Sequence, residues 1–414
     1  MLYASFMLAS HVLQAQIYPF KSAERVVPSV FPDSTHALER AVDERTLLTS
    51  YNETGIPSAY FLRTTQGTNV IESVQLMGIR HVSDFKILGD WLFFCGQYVA
   101  NNNGFVAWTQ LDELFDPATT NIKISVLPNV PDVTKIDAYE DGQYKYAVVA
   151  IGSNQRFIHT GVETNNYSVY ISPFPLSDVV VTNNHAVVLG KISLNNLAMF
   201  SHEKVNIQNY HGRSFNHKQA RFENFLIESL FDEEVLVSYT DCEHYYQAQF
   251  IRIDAASLLP LAQQSLIDEG KPNPKEMVFN RSDSTILYLS HAVKNQDMIT
   301  MIKPYEEYTY MADIVMPNMC EVGHETLNSL THYNGTYLSA VGIDATYNNL
   351  YWFDYQRELE QGGCFQTFQE KVVPSNTFQP AAQQFYIGNQ VFPLQIQTIQ
   401  IQHSAPQYNI ICND

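Results

Sequence analysis

Two short stretches of the sequence gather side chains that could bind a ligand or take part in catalysis. In residues 201–223 a local basic cluster interrupts an otherwise acidic chain, and its candidate ligand-binding groups are His211, Arg213, His217 and Arg221. A guanidinium group binds the oxygens of a carboxylate, sulfate or phosphate in a fixed geometry. The composition therefore predicts an anion-binding loop inserted between strands, with a plain solvated loop as the alternative. The spacing of the histidines matches no known metal-ligand motif, so we predict no metal site.

The second stretch, residues 241–246, combines two carboxylates, an imidazole and two phenols. Asp241, Glu243 and His244 could ligate a cation, and Tyr245 could stack on a sugar ring. The alternative is a polar hairpin tip without a ligand. Together with the basic cluster, these side chains form the candidate ligand-binding set.

Motifs that would define a known catalytic site are absent from the sequence. It contains no nucleophile elbow, no HExxH, no P-loop and no GxGxxG opening after a strand. We therefore expect no cofactor and favour a role other than catalysis.

The elements that must position these side chains follow from a repeat, which is clearest in residues 82–110. Three short runs rich in aromatic and β-branched residues are separated there by Gly89-Asp90 and by an Asn-rich turn, a pattern typical of antiparallel strands. Residues 176–190 repeat this pattern, and residues 335–342 repeat its glycine spacing. Polar turns recur near residues 89, 141, 183, 232, 283 and 335, so the period is about 40 to 55 residues.

A period of this length resembles that of β-propeller blades, which are small antiparallel sheets stacked around an axis. The resemblance is to the propeller class and to no named family, because Trp-Asp endings, paired kelch glycines and aspartate boxes are absent. We predict an all-β fold, a β-propeller with seven blades in preference to six or eight. A β-sandwich pair or an irregular solenoid is the alternative. Strands from both ends, at residues 59–64, 70–77, 384–387 and 391–402, are expected to pair as the closing blade.

Two aspartates occupy equivalent positions in the repeat, because Ser83-Asp84 aligns with Ser177-Asp178. A polar residue that recurs at the start of innermost strands can satisfy backbone N–H groups. We predict that Asp84 and Asp178 are structural first and line a central channel second.

One helix is predicted before the repeats. Residues 33–48 place apolar side chains at helical spacing after a capping Asp33 or Ser34. The chain then divides into a signal peptide that is removed (1–15), an N-terminal strap and short helix (16–56), and a β-propeller closed by strands from both termini (57–414).

Charge and the first residues indicate the compartment. The chain has 414 residues and a net charge of −19, which disfavours nucleic acid and anionic membrane surfaces as partners. Residues 6–13 are mostly apolar, and the following Ala15-Gln16 junction resembles the signal cleavage sites of Bacteroidetes-type secreted proteins. No run approaches the roughly 18 apolar residues that a transmembrane helix needs. We predict a secreted, periplasmic or cell-surface protein with no transmembrane segment.

The number and spacing of the cysteines do not indicate a fold held together by disulfides. There are five and no CxxC pair, which argues against a disulfide framework and against a Cys-based zinc site. Cys95 lies in an apolar strand and is expected to be buried. Cys364 and Cys412 lie in loop-like sequence, and a bridge between them would staple the closing blade.

These observations predict a binding or assembly platform for a protein or glycan partner. The alternative is a glycan-active hydrolase or lyase with its site at the mouth of the central channel. Converging carboxylates or histidines with shifted pKa values at that mouth would favour the enzyme.

Overall fold

The computed structural model describes most of the middle of the chain and shorter segments toward its ends. The described residues are 22–27, 34–40, 46–52, 58–64, 71–143, 145–162, 164–206, 210–216, 222–241, 247–266, 273–281, 284–291, 297–305, 310–315, 325–333, 337–344, 349–356, 366–374, 379–382, 388–404 and 409–413. The predicted signal peptide lies outside them.

The first 28 strands fall into seven antiparallel units. Strand β1 (Ser22–Val27) precedes unit 1, which contains β2 (Ser34–Arg40), β3 (Thr46–Asn52), β4 (Ser58–Thr64) and β5 (Ile71–Met77). Unit 2 contains β6 (Ile79–Leu88), β7 (Trp91–Tyr98), β8 (Asn103–Gln110), helix α1 (Leu111–Phe115) and β9 (Asn121–Val126). Unit 3 contains β10 (Val133–Asp141), β11 (Lys145–Gly152), β12 (Arg156–Gly161) and β13 (Asn166–Ile171). Unit 4 contains β14 (Leu176–Val181), β15 (His185–Ser193), β16 (Asn196–Glu203) and β17 (Tyr210–Asn216).

The later units follow the same plan. Unit 5 contains β18 (Phe222–Ser229), β19 (Glu234–Asp241), β20 (Gln247–Asp254) and β21 (Leu259–Leu266). Unit 6 contains β22 (Asn273–Asn280), β23 (Thr285–His291), β24 (Asp297–Ile302) and β25 (Tyr310–Val315). Unit 7 contains β26 (Glu325–Tyr333), β27 (Tyr337–Asp344) and β28 (Asn349–Gln356), and β1 is its fourth strand.

The units form a closed ring through their first strands. Strand β2 contacts β6, and the contacts continue through β10, β14, β18, β22 and β26 back to β2. Within each unit the strand order runs outward from that first strand. A ring of small antiparallel sheets around an axis is the β-propeller architecture, so the prediction of an all-β propeller is confirmed.

Each unit carries the same irregularity, which explains the repeat in the sequence. Near the start of the first strand, the register with the second strand shifts, as between Val82 and Asp84 in unit 2 and between Leu176 and Asp178 in unit 4. The other shifts lie at Thr35/Leu38, Val133/Lys135, Glu223/Phe225, Pro274/Glu276 and Leu327/Ser329. A bulge bends a strand and increases its twist, so each sheet bends at the same level of the ring.

In each unit, the first-strand residue that precedes the register shift pairs with a small residue of the second strand. These small residues are Ser50, Gly96, Gly152, Gly190, Thr240, Ser290 and Gly342. A Cβ atom on Gly190 would lie 2.6 Å from the Pro175 carbonyl oxygen and 2.8 Å from the Phe174 ring. The recurring glycines therefore mark a close backbone approach at the bulge.

The hydrophobic core is divided among the seams between consecutive units. In β7, Leu92 and Phe94 face unit 1, whereas Phe93 and Cys95 face unit 3, because successive side chains of a strand point to opposite faces. Phe94 packs edge-to-face on Phe61 of unit 1 with ring centroids 5.2 Å apart. Each large side chain buried in a seam contributes about 1.5–3 kcal/mol. Cys95 is buried and free, as predicted.

The predicted N-terminal helix is wrong. Residues 34–40 and 46–52 are the strands β2 and β3, which pair Leu38 with Leu48. Because β2 also contacts β6 and β26, tertiary pairing outweighs the helical spacing of its apolar residues. In the described parts of the chain α1 is the single helix, and no helix there is long and apolar enough to cross a membrane.

The last strands form a C-terminal belt, residues 366–413, around the outer edges of the units. Its strands are β29 (Gln366–Pro374), β30 (Gln379–Ala382), β31 (Gly388–Pro393), β32 (Gln395–Ser404) and β33 (Asn409–Asn413). They pair in turn with β25 and β21, β17, β13, β9 and β5, and β1. The belt therefore meets the units in the reverse of their order along the chain.

The predicted pairing of strands from both ends occurs in part, because residues 401–404 of β32 pair with β5. The strand predicted at residues 384–387 lies outside the described residues. Residues 58–64 and 71–77 belong to unit 1, whereas the two ends of the chain meet in unit 7, where β1 lies between β28 and β33. Cys412 lies in β33 and Cys364 lies outside the described residues, so a bridge between them stays a prediction.

Candidate functional site

Two of the candidate ligand-binding residues, His211 and Arg213, lie in β17, the fourth strand of unit 4. The Arg213 Nε donates a hydrogen bond to the Ser257 carbonyl oxygen of unit 5 at 2.7 Å, so this guanidinium joins two units. His211 is an exposed residue. Partial burial of its imidazole ring lowers its pKa, and the nearby His185 and Arg213 charges lower it further. The basic stretch is not one long loop, because it contains the end of β16, all of β17 and the start of β18.

The remaining candidates are placed only in part. Asp241 is the last residue of β19 and pairs through its backbone with Phe222 and Gln247. His217, Arg221, Glu243, His244 and Tyr245 lie outside the described residues, so their ligand-binding role stays a prediction.

Charged side chains lie along the innermost strands, and the sequence singled out only Asp84 and Asp178 among them. The set comprises Asp84, Lys86, Lys135, Asp137, Asp178, Glu228 and Glu276. The Lys135 ammonium of unit 3 interacts with Asp84 of unit 2, Asp178 of unit 4 and Glu276 of unit 6, and these carboxylates raise its pKa. Because units on opposite sides of the ring interact, these side chains share the central channel.

Three of these carboxylates join the inner strands of units 2 to 5 in succession. Asp84 Oδ2 accepts a hydrogen bond from the Ile136 N–H at 3.1 Å, and Asp137 Oδ2 accepts one from the Val181 N–H at 2.7 Å. Asp178 Oδ2 is 3.4 Å from the Ile227 nitrogen of unit 5. The structural role predicted for Asp84 and Asp178 is confirmed, although the N–H groups belong to the neighbouring inner strand and not to a turn.

Burial shifts the pKa values of the channel carboxylates upward. It raises the pKa of Asp178 to about 6, against the opposing effect of Lys135. It raises the pKa of Glu228 to about 8, where Lys86 opposes the shift. At neutral pH, Asp178 is therefore mostly ionised and Glu228 mostly protonated, a division seen in acid–base pairs.

Glu228 should make the protein less stable as the pH rises from about 6.5 to about 8. Its folded pKa is about 8 against an ordinary value of 4.5, so between these values the folded state holds a proton that the unfolded state has lost. Stability then falls with rising pH. Burial lowers the pKa of His159 to about 4, which acts in the opposite direction but only below about pH 6.5.

The measurement is Tm across that pH window for the native chain and for Glu228→Gln. The variant should lose about half or more of the fall in Tm, since the glutamine does not titrate. An unchanged fall in Tm would contradict the assignment to Glu228.

The turn face is the end of the ring that carries the turns between first and second strands, at residues 89–90, 142–143, 182–184 and 230–233. It holds a polar cluster at the seam of units 4 and 5. Glu233 accepts hydrogen bonds from the Asn184 N–H at 2.6 Å and the Thr182 hydroxyl at 2.9 Å. The His185 Nδ1 lies 2.7 Å from Glu233 Oε2. The carboxylate therefore orients the imidazole and ties two turns together.

The described residues do not assemble a metal centre. Within the parts of the chain listed above, no group of three or more His, Cys, Asp or Glu side chains could hold a metal ion. What the channel and the turn face provide chemically is hydrogen bonding and fixed charge.

Comparisons with known proteins show a fold likeness and no family. No protein-family model and no curated protein matches the chain. Among solved structures, the chain is similar to YCF48 from Cyanidioschyzon merolae, with 10% identity and a TM-score of 0.49 over 81% of this chain and 99% of that one. It is also similar to a putative 6-phosphogluconolactonase from Bacteroides uniformis, with 9% identity and a TM-score of 0.43 over 71% and 97%.

A third similar structure is BamB from Moraxella catarrhalis, with 10% identity and a TM-score of 0.34 over 67% of this chain and 95% of that one. At these identities and scores, the likenesses carry no inference about ligand or activity.

Proposed function

We propose that this chain is a secreted or periplasmic β-propeller with seven blades, one for each unit, that serves as a binding or assembly platform. The observation that supports this most is the use of the channel carboxylates. Asp84, Asp137 and Asp178 each accept a backbone hydrogen bond from the next inner strand. These bonds stiffen the ring and leave the surfaces to carry the function.

The turn face is the surface that we assign to the partner. Its exposed carboxylates, among the described residues, are Asp90, Asp112, Glu113, Asp116, Glu140, Glu203 and Asp232. The exposed basic side chains beside the same turns are Lys145 and Arg281. Val205, two residues after Glu203, is 98% exposed and offers an apolar contact.

This combination favours a protein partner with a basic surface over a glycan. An acidic face attracts a basic surface at long range, and the gain appears mainly in the association rate. The net charge of −19 acts in the same direction. The association rate should therefore fall as salt increases from about 0.05 M to about 0.5 M.

The test compares two variants with the same change in net charge. The first neutralises the turn face with Asp90→Asn, Glu113→Gln, Glu140→Gln and Asp232→Asn. The control adds four positive charges on the C-terminal belt with Gln390→Lys, Gln395→Lys, Gln400→Lys and Gln402→Lys, all at exposed positions.

Partners are captured on the native chain from the extracellular and periplasmic fractions of the source organism, and their binding is then measured by interferometry. The turn-face variant should bind at least about tenfold more weakly, mainly through a slower association rate. The control variant with four lysines on the belt should bind like the native chain. Equal weakening in both variants would show a general charge effect and contradict docking on the turn face.

A second candidate function is supported by the channel carboxylates. A glycan-active hydrolase commonly needs one protonated and one ionised carboxyl group, and burial raises the pKa of Glu228 to about 8 and that of Asp178 to about 6. Against it, both oxygens of Asp178 already accept backbone hydrogen bonds, from Val179 and Ile227.

A panel of polysaccharides, assayed for new reducing ends, decides this point. The enzyme hypothesis requires release that Glu228→Gln lowers by at least about a hundredfold while the circular dichroism spectrum is unchanged. Absence of release, or release that survives the substitution, would exclude this pair.

A further inference from the structure

The C-terminal belt is added to sheets that are already complete. Units 1 to 6 each have four paired strands without it. Strand β32 lies along two of them, pairing residues 395–400 with β9 and residues 401–404 with β5. Each belt strand except β33 pairs at the outer edge of units that are already complete, so these strands lie outside the four-stranded sheets.

Alternate apolar side chains anchor the belt in the seams. Ile399 and Ile401 are 3% and 5% exposed and join the core between units 1 and 2. Leu394 joins the core between units 2 and 3, and the Phe392 ring lies 5.6 Å from the Tyr167 ring. Backbone pairing with apolar anchors at alternate positions is the mode by which sheet edges bind extended peptides.

Polar contacts fix the register of the same segment. The Leu394 N–H donates to the Asn165 carbonyl at 2.8 Å, and the Ile401 N–H donates to the Thr120 carbonyl at 3.0 Å. His403 Nε2 lies 2.8 Å from the Thr119 carbonyl oxygen. Residues 388–404 contain no Asp, Glu, Lys or Arg, so recognition depends on the backbone and the apolar anchors.

We propose that the outer edges of β5, β9 and β13 form a strand-addition site for an uncharged extended peptide with apolar residues at alternate positions. Residues 388–404 occupy this site in cis and compete with any peptide in trans. The belt also protects edge strands that would otherwise pair with other chains. This site is separate from the turn face and does not depend on the proposed function.

The experiment opens the belt after folding. A protease site is placed in residues 383–387 of the full chain, the folded protein is cut there, and a fluorescent peptide of residues 388–413 with Cys412→Ser is added. The labelled peptide should replace the cut segment, and the uncut chain should bind it at least about tenfold more weakly because its site is filled.

A peptide that also carries Ile399→Asp and Ile401→Asp is the matched control. It should bind at least about a hundredfold more weakly, because each buried aliphatic anchor contributes about 1.5–3 kcal/mol and a charge in the seam is costly. Equal binding of the two peptides would overturn the proposal, as would equal binding to cut and uncut protein.

Two further results would also overturn it. One is a cut segment that a roughly hundredfold excess of labelled peptide cannot replace over the lifetime of the folded ring. The other is loss of the β-sheet circular dichroism signal on cutting, because the edges of β5, β9 and β13 can accept a peptide only if the units stay folded without the belt. In the uncut chain, amide hydrogens of residues 395–404 should exchange at least about tenfold faster than those of β7.

Discussion

Replacing Gly96 by alanine should destabilise the protein by about 3 kcal/mol or more, since overpacking that displaces backbone costs this much or more. A Cβ atom at this position would overlap the carbonyl oxygen of His81 and lie 3.1 Å from the Val82 Cα. Both atoms belong to the backbone of the neighbouring strand, so no side-chain rotation relieves the clash. The bulge between β6 and β7 would have to open, and with it the seam between units 1 and 2.

The control is Gly142→Ala, because a Cβ atom on Gly142 would have no atom within 4 Å. Both variants are compared with the native chain by urea midpoint and Tm. The turn variant should shift neither midpoint appreciably. A Gly96→Ala protein as stable as Gly142→Ala would show that the first strand moves away easily and that the close approach is not a constraint.

Gly96 also shows how far the sequence reveals the fold. The spacing of Gly89 and Gly96, with Gly190 and Gly342 in later copies, predicted the repeat, and the structure shows that Gly96, Gly190 and Gly342 each face a bulge. Where the same position is Thr240 or Ser290, the sequence signal fades although the geometry persists. The register shift therefore does not itself require glycine, whereas the close backbone approach at Gly96 and Gly190 does.

The sequence indicated only two of the charged channel residues, because these two occupy the same position relative to the bulge in their units. Asp84 and Asp178 each follow a serine at the register shift, so alignment of the repeats shows them together. In unit 3 the corresponding residue is Lys135, and the carboxylate is two positions later at Asp137. Each inner strand does contain a charged residue, which the sequence could have indicated. The N–H that such a residue binds lies in another unit, so the pairing depends on the register between units.

The other failures have a common cause, which is pairing between distant segments. The helical spacing in residues 33–48 is local, whereas β2 is held by β6 on one side and β26 on the other. The strand predicted at residues 391–402 pairs with β5, as expected, but it also pairs with β9 of the neighbouring unit, which the sequence did not indicate. The hydrogen bond between Ser73 and Ser404 joins residues 331 positions apart, and no local pattern encodes such a pair.

Replacing Asp137 by alanine should cost about 2–3 kcal/mol, since each buried N–H left without a partner costs about 1–3 kcal/mol. Its Oδ1 accepts from the Ala138 N–H at 2.8 Å, and its Oδ2 accepts from the Val181 N–H at 2.7 Å. The second bond joins the inner strands of units 3 and 4. Burial raises the pKa of Asp137, so loss of the carboxyl also relieves a desolvation cost, and the net effect is less than the sum of two hydrogen bonds.

That opposing effect gives the substitution a pH signature. Because the folded pKa of Asp137 lies above its unfolded value, the native carboxyl contributes less stability as the pH rises through the folded pKa. The difference in Tm between the native chain and Asp137→Ala should therefore be larger at acid pH and become smaller as the pH rises.

Two controls separate the inter-strand hydrogen bond from general effects of charge. Asp90→Ala removes an exposed carboxylate at the turn of unit 2 and should change Tm little at any pH, since surface substitutions usually stay within about 0.5 kcal/mol. Asp137→Asn keeps one acceptor oxygen and places an amide N–H against a backbone N–H, so its cost should approach that of alanine. If Asp137→Asn is as stable as the native chain, the carboxylate does not join the two inner strands, and the stiffness assigned to the ring must come from the apolar seams.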